Sequence, residues 1–169
     1  SAACAEEMAH ESPAGMVAMK QRAAELGDLG EFFLHCFGAF DFEGIRQTLP
    51  TRTFEDALTL AVGDKRVELT NVGPAHTRGD VLVHVADDGV VYTGDILFIE
   101  GHPIMWAGPV GNWLRACDAI IAMAPKQVVP GHGPVTDVAG VRAVRDYLEY
   151  IRDQARARYD AGMSAEDAA

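Results

Sequence analysis

The sequence has 169 residues, 49% of them hydrophobic and 23% charged, a composition typical of a folded globular protein rather than a disordered one. This length accommodates roughly one domain. Its 14 lysine and arginine residues against 25 aspartate and glutamate residues give a net charge of −11, which disfavours binding to nucleic acid or to anionic lipid surfaces.

The first 49 residues predict helices. Residues 2–11 and 14–26 are rich in alanine, methionine, glutamate and lysine, which are strong helix formers, and Gly27 stands where the second helix would end. A third helix is predicted over Glu31–Phe40, with its phenylalanines buried: Phe32, Phe33, Phe37 and Phe40. Pro50 prevents any helix from continuing through the residue before it.

The periodicity changes from helical to strand-like after Thr51. Apolar residues alternate in successive short stretches, separated by Gly-Asp or Asp-Gly turns that favour hairpins. The stretches are residues 58–62, 67–72 and 81–85, followed by the apolar residues 90–92. Residues 51–95 therefore predict a small antiparallel sheet, with Gly94-Asp95 at the end of its last strand.

The remainder of the chain predicts a loop, two helices and a short strand. Asn112 is predicted to cap a helix over residues 113–123, residues 127–129 form a strand, and an amphipathic helix starts near residue 136 or 137. We predict that residues 161–169 are frayed. The whole chain, 1–169, is predicted to be one domain, composed of a helical segment (1–49), a sheet with ligand loops (50–136) and a C-terminal helix (137–160).

Three glycine-bounded motifs follow predicted strands, and each carries an ionisable side chain. They are Gly-Pro-Ala-His-Thr-Arg-Gly-Asp at 73–80, Thr-Gly-Asp at 93–95 and Pro-Gly-His-Gly-Pro at 130–134. Side chains in such turns project over the rim of a sheet, where imidazole and carboxylate groups together ligate zinc, iron or manganese. Alone, each motif is more often a structural turn, so the prediction of a metal site rests on their combination and order.

This combination resembles the metallo-β-lactamase superfamily of metallohydrolases over about residues 49–136. The resemblance implies an α/β (α+β) fold, here part of a four-layer αββα sandwich with a mostly antiparallel sheet and flanking helices. It implies that His76 and His132 are metal ligands and that Asp95 bridges two metals, zinc or another divalent transition metal such as iron or manganese. It also implies a metal-dependent hydrolase of a small-molecule ester, thioester, lactam or phosphoester.

The family's His-x-His-x-Asp-His signature, which supplies further ligands, is absent from this sequence. Upstream of His76 stand only His10 and His35, each isolated in a predicted helix. The chain therefore resembles the C-terminal portion of the fold, with the first βα half removed or never present. A catalytic zinc takes about three protein ligands and an open position, so ligands divided between two metals leave both sites incomplete. We expect the isolated chain to be inactive or weakly active, we assign it no catalytic acid or base, and its metal site is expected to be empty or partly filled.

Other polar residues near the motifs have two interpretations each. Asp80 either orients the neighbouring histidine or its loop, or caps the turn before the next strand. The loop after the Gly-Asp motif either packs as an ordinary loop or lines a substrate pocket with His102, Met105 and Trp106. His84 lies in the alternating strand and is disfavoured as a ligand.

Two further hypotheses remain beside the hydrolase. A non-catalytic half-fold would act as an oligomeric or partner-binding module, because half a sandwich exposes an apolar sheet face and an unpaired edge that self-association covers. A lone metal-binding module would require the three motif side chains to meet around one ion. The expected partners are a second copy of the chain or the missing N-terminal half, with no nucleic acid and no membrane.

The cysteines and the length of the apolar runs indicate the cellular compartment of the protein. Three cysteines without a CxxC pair exclude a disulfide framework and fit a reducing cytosol. No apolar run approaches the roughly 18 residues of a membrane span, and the N-terminal residues do not show the pattern of a signal peptide. We therefore expect a cytoplasmic protein.

Overall fold

The computed structural model describes residues 2–10 and 13–168 of the chain. The chain divides into two compact units, Ala2–Thr53 and Phe54–Ala169, which are described separately. Helices are combined with a five-stranded, mostly antiparallel sheet, which confirms the predicted α/β (α+β) class. The assignment of a single domain stays a prediction.

The first unit is helical, as predicted. Its elements are α1 (Ala2–His10), α2 (Ala14–Arg22), a 3-10 turn (Ala23–Glu25) and α3 (Asp28–Phe37). The second predicted helix therefore ends earlier than expected and tightens into the 3-10 turn, and Gly27, with φ of 54°, lies between that turn and α3. Glu11, the predicted last residue of the first helix, lies outside the described residues.

Helix α3 covers Asp28–Phe37 and not the predicted Glu31–Phe40, and the predicted burial of the four phenylalanines is wrong for three of them. Only Phe33 is buried, and its ring lies 5.3 Å from that of Phe37, whereas Phe32 and Phe40 are 64% and 58% exposed. The helix buries a narrow stripe because Gly30 brings its backbone against the 3-10 turn. A Cβ at Gly30 would lie 1.8 Å from the carbonyl oxygen of Ala23, so no larger residue fits there.

The second unit contains the sheet. Its strands are β1 (Ala57–Val62), β2 (Lys65–Asn71), β3 (Val81–Val85), β4 (Val90–Phe98) and β5 (Gln127–His132), in the spatial order β1-β2-β3-β4-β5. All neighbouring pairs are antiparallel except β4 and β5, which are parallel. The predicted Gly-Asp turn joins β1 to β2, where Gly63 has φ of 61°.

Strand β4 is longer than the sequence predicts. Asp95 lies inside it and not at its end, because the strand continues to Phe98 through a register shift near Gly94. Gly94 has φ of 49°, a conformation that a glycine adopts at little cost and that lets the strand bend and resume pairing. Strand β5 likewise extends beyond the predicted residues 127–129 and includes His132.

Two long helices complete the unit, α4 (Val110–Ala122) and α5 (Val138–Asp160), followed by the short α6 (Ala165–Ala168) in the segment predicted to fray. The predicted capping of α4 by Asn112 is wrong. Asn112 lies in the first turn of α4, and its amide donates a hydrogen bond of 2.9 Å to the carbonyl of Pro74. The predicted start of α5 is confirmed, because the Asp137 carboxylate accepts a hydrogen bond of 2.7 Å from the backbone N–H of Ala139.

Helices α4 and α5 cover one face of the sheet and form its core. The buried residues of this core include Leu82, Val91 and Val128 from the strands and Trp113, Ile120, Val141 and Leu148 from the helices. Cys117 is also buried there, and burial raises the pKa of its thiol to about 12, so the thiol stays neutral. Among the described residues, no two cysteines form a disulfide. Among the described helices, none has the length and apolarity needed to cross a membrane.

The opposite face of the sheet carries a cross-strand row of large apolar side chains. Backbone register aligns them across all five strands: Leu58, Leu69, Val83, Tyr92 and Val129. None of the row is buried, and Tyr92 is 47% exposed. We call this surface the uncovered sheet face.

Candidate metal site

The loop between β2 and β3 holds His76 in a fixed position. Asp80 organises this loop, because its carboxylate accepts hydrogen bonds from the backbone N–H of Ala75 at 3.0 Å and of Thr77 at 3.0 Å, and from the Thr77 hydroxyl at 2.8 Å. Asp80 contacts the loop backbone and not the imidazole. Its position therefore agrees with both interpretations of the sequence, since it closes the turn before β3 and thereby places His76.

The imidazole of His76 is buried and oriented, with 8% of its side chain exposed. Its Nδ1 donates a hydrogen bond of 2.6 Å to the carbonyl of Ile104, because a carbonyl oxygen can only accept. The indole of Trp113 meets the ring edge-on, with centroids 5.7 Å apart. The backbone N–H groups of Trp106 and Ala107 donate to the His76 carbonyl, so the loop that follows β4 also holds the histidine.

Asp95 lies between two imidazoles. Its Oδ2 is 3.3 Å from Nε2 of His76, and its Oδ1 is 3.4 Å from Nε2 of His132. The Asp95 side chain is 39% exposed and that of His132 is 60% exposed, so the cluster opens to solvent on this side. The three side chains that the motifs single out are thus brought together, each by a different loop or strand.

Gly131 permits the close approach of these groups. A Cβ at Gly131 would lie 2.0 Å from Oδ1 of Asp95 and 2.7 Å from the carbonyl carbon of Gly94. Any other residue would push the carboxylate or the β4 backbone away from His132. The glycine before the histidine in the Gly-His-Gly sequence therefore has a steric function at the site.

The donor set fits a divalent metal. Because Nδ1 of His76 is used as the donor to Ile104, Nε2 is the ring nitrogen that is left to face the Asp95 carboxylate, whose oxygens accept. A divalent cation between Nε2 and this carboxylate oxygen would be bound by both groups. Imidazole nitrogen and carboxylate oxygen are zinc ligands, and two ligands of one tetrahedral zinc lie about 3.4 Å apart.

The arrangement is nevertheless not a closed cage. Within residues 2–10 and 13–168, no group of three or more histidine, cysteine, aspartate and glutamate side chains is placed to hold a metal ion. The cluster consists of two histidine–aspartate pairs that share Asp95. Each pair offers two ligands, one fewer than a catalytic zinc ordinarily takes.

The three residues predicted to line a substrate pocket do not line one cavity together. His102 pairs with the hydroxyl of Tyr147 on α5 and lines a cavity of about 490 Å³ together with Phe98, Gly101 and Val144. Met105 and Trp106, which are 41% and 72% exposed, do not line this cavity. Their assignment to a substrate pocket stays a prediction.

His84 contacts Glu68 across β2 and β3 at 3.6 Å, outside the cluster, in keeping with its low ranking as a ligand. Sequence reasoning missed the Ile104 carbonyl and the aromatic rings around the histidines. A backbone carbonyl has no sequence signal. Phe98 lies three residues beyond the Thr-Gly-Asp motif, and its place beside the histidines depends on the pairing of β4 with β5.

The structure predicts that Asp80→Asn lowers the free energy of unfolding by about 2 kcal/mol, since an amide replaces one charged acceptor with a donor that faces a buried backbone N–H. Urea unfolding followed by circular dichroism measures the change. Asp87→Asn, in the exposed turn between β3 and β4, is the matched control. Equal stability of the two variants would show that Asp80 does not hold the loop.

The sequence profile of the metallo-beta-lactamase superfamily matches residues 7–132, which is more than half of the chain. The chain belongs to the metallo-beta-lactamase superfamily. The fold agrees with this membership, because solved metallo-beta-lactamases are similar to it. One from Pontibacter korlensis is 20% identical, has a TM-score of 0.56, and is matched over 72% of this chain and 55% of that one. The DIM-1 metallo-beta-lactamase is 20% identical, with a TM-score of 0.54, and covers 62% of this chain and 51% of that one.

Curated relatives are hydrolases of this superfamily. Acyl-coenzyme A thioesterase MBLAC2 of Homo sapiens is 23% identical over 94 residues, which are 52% of this chain and 33% of that protein. A probable hydroxyacylglutathione hydrolase of Schizosaccharomyces pombe is 29% identical over 100 residues, 57% of this chain and 37% of that protein. The chain thus aligns with about a third of the length of these relatives.

Proposed function

We propose that the chain carries part of the metal centre of a metal-dependent hydrolase, with His76, Asp95 and His132 as ligands. The observation that supports this most is the shared carboxylate of Asp95, whose two oxygens each face one imidazole nitrogen. In this assignment His76 and His132 belong to different metals and Asp95 bridges them. Zinc, iron and manganese all accept this ligand set.

The residues of the chain have defined tasks in this proposal. The Ile104 carbonyl holds the proton of His76 on Nδ1 and leaves Nε2 free as a ligand. Exposure of Asp95 and His132 gives a substrate access to the cluster. A divalent metal bound there would supply Lewis-acid polarisation of the substrate's carbonyl or phosphoryl group.

The chain by itself is inactive or weakly active in this proposal. The sequence contains no His-x-His-x-Asp-His segment, and each histidine–aspartate pair offers only two ligands. The further ligands come from a polypeptide segment outside these 169 residues, whether a removed N-terminal half or a separate chain. The cytoplasm is the proposed compartment, since three cysteines without a disulfide in the described part of the chain fit a reducing environment.

A thioester is the substrate class to test first. Among the curated relatives, one is named as an acyl-coenzyme A thioesterase and another as a probable hydroxyacylglutathione hydrolase. Esters, lactams and phosphoesters complete the panel. The experiment measures hydrolysis of each class by the chain with added zinc, iron or manganese.

Metal content tests the proposed incomplete site. We expect less than one equivalent of tightly held metal per chain after dialysis against metal-free buffer, because neither pair has a full ligand set. Elemental analysis by mass spectrometry measures the content. Two retained equivalents, or rapid hydrolysis of any substrate in the panel, would contradict the assignment of an incomplete site.

A second candidate is a non-catalytic module that forms an oligomer or binds a partner. The uncovered sheet face supports it, because its apolar row crosses all five strands with no member buried, and a contiguous apolar surface of this kind favours association. We expect a dimer or a larger assembly in size-exclusion chromatography with light scattering. A Tyr92→Lys variant should shift the assembly toward monomer, and a monomeric parent chain would contradict this candidate.

A further inference from the structure

Phe98 contacts both histidines of the cluster. Its ring stacks on the imidazole of His132 with centroids 4.4 Å apart and an angle of 14° between the planes. It also meets the imidazole of His76 at 5.6 Å in a tilted arrangement. The Phe98 ring therefore contacts two proposed ligands that come from different segments of the chain.

The backbone sets this stacking. Phe98 ends β4 and pairs in parallel register with His132, the last residue of β5, so that their side chains stand on neighbouring strands roughly 4.8 Å apart. The N–H of Ile99 donates a hydrogen bond of 2.9 Å to the His132 carbonyl and fixes this register beside the rings.

The two histidines are held in different ways. His76 has the usual arrangement of a metal-ligating histidine, because its second ring nitrogen donates to a backbone carbonyl that fixes ring orientation and tautomer. In the described part of the chain, no hydrogen bond holds Nδ1 of His132, and 60% of this side chain is exposed. An exposed imidazole without such a partner would rotate freely about its side-chain bonds unless a neighbouring ring restrained it.

We propose that Phe98 is a positioning residue, which holds the His132 imidazole against Asp95 by stacking and replaces the hydrogen bond that orients His76. This inference rests on the proposed function, since it concerns ligands of the proposed metal centre. The Phe98 side chain presents only carbon and offers no ligand to a metal. Its effect is transmitted through the angle at which His132 presents Nε2.

The first measurement needs no metal. Stacking shifts the ring protons of His132 upfield in the NMR spectrum of the metal-free protein, and a His132→Gln variant assigns these signals. We expect Phe98→Leu to move the signals toward the values of a free histidine and Phe98→Tyr to retain the shift. Val91→Ala, a core truncation on β4 beneath the helices, controls for general destabilisation and should leave the shift unchanged.

The second measurement is zinc affinity, determined by competition with a chromogenic chelator. We expect Phe98→Leu to bind zinc about 10- to 100-fold more weakly, the loss found when a ligand-orienting group is removed, and Phe98→Tyr to restore most of it. Unchanged ring-proton signals in Phe98→Leu, or zinc affinity equal to that of Val91→Ala, would overturn the inference. If the parent chain binds zinc too weakly for this competition, as two ligands per metal allow, the NMR comparison alone decides the positioning role.

Discussion

We expect Asp95→Asn to weaken zinc binding by more than about 100-fold, since removal of groups that merely orient a ligand already costs 10- to 100-fold. The substitution keeps the shape of the side chain but removes its charge. An amide also presents an NH₂ group to one of the two imidazole nitrogens that now face the carboxylate at 3.3 Å and 3.4 Å. Isothermal titration with zinc, or chelator competition where binding is tight, measures the loss.

Asp87→Asn is the control for this experiment, because it removes one negative charge from an exposed turn of the same unit. It should bind zinc as the parent chain does, and so exclude a general effect of net charge. His76→Gln and His132→Gln should each weaken binding as well. Retention of the parent affinity in Asp95→Asn would remove the shared carboxylate from the site and with it the proposed bridging role.

The sequence predicted the cluster because its members lie in short motifs with strong local preferences. Glycines in each motif allow tight turns and close backbone approach, and the structure uses Gly131 in this way next to Asp95. The order of the motifs then placed His76, Asp95 and His132 at one rim of a sheet. Their distances could not be predicted, because they depend on the parallel pairing of β4 with β5, which is a long-range contact.

The extent of β4 was missed for a related reason. Gly94-Asp95 is a turn signal in the sequence, and it predicted the end of a strand. In the structure the same glycine bends the strand, and pairing with β5 allows it to resume as far as Phe98. Pairing of β4 with β5 thus outweighs the local turn preference, and it places the Phe98 ring beside the two histidines.

Backbone groups account for the rest of what the sequence did not reveal. The Ile104 carbonyl orients His76, but any residue has a carbonyl, so its role depends on where the loop lies. Similarly, the phenylalanines of α3 are apolar enough to be buried, yet only one stripe of the helix meets the 3-10 turn. Composition predicts that a helix has an apolar face, whereas packing decides how wide the buried part is.

We expect the second large effect, a loss of stability, at Trp113, which lies in the core and contacts His76. Its indole is fully buried, donates a hydrogen bond of 2.7 Å to the Ile96 carbonyl and packs against His76. We expect Trp113→Ala to lower the free energy of unfolding by about 3–5 kcal/mol, because it leaves a large cavity between α4 and the sheet. Urea unfolding followed by far-ultraviolet circular dichroism measures the change.

The chain supplies a matched control, since it has two tryptophans and Trp106 is 72% exposed. Trp106→Ala should change the free energy of unfolding by less than about 0.5 kcal/mol, as is usual for exposed positions.

Trp113→Phe tests the contribution of the Trp113 indole if the alanine variant does not fold. Phenylalanine fills most of the cavity but cannot donate to the buried Ile96 carbonyl, which costs about 1–3 kcal/mol. Equal free energies of unfolding for the Trp106 and Trp113 variants would contradict this prediction. They would show that the buried indole does not stabilise the packing of α4 on the sheet.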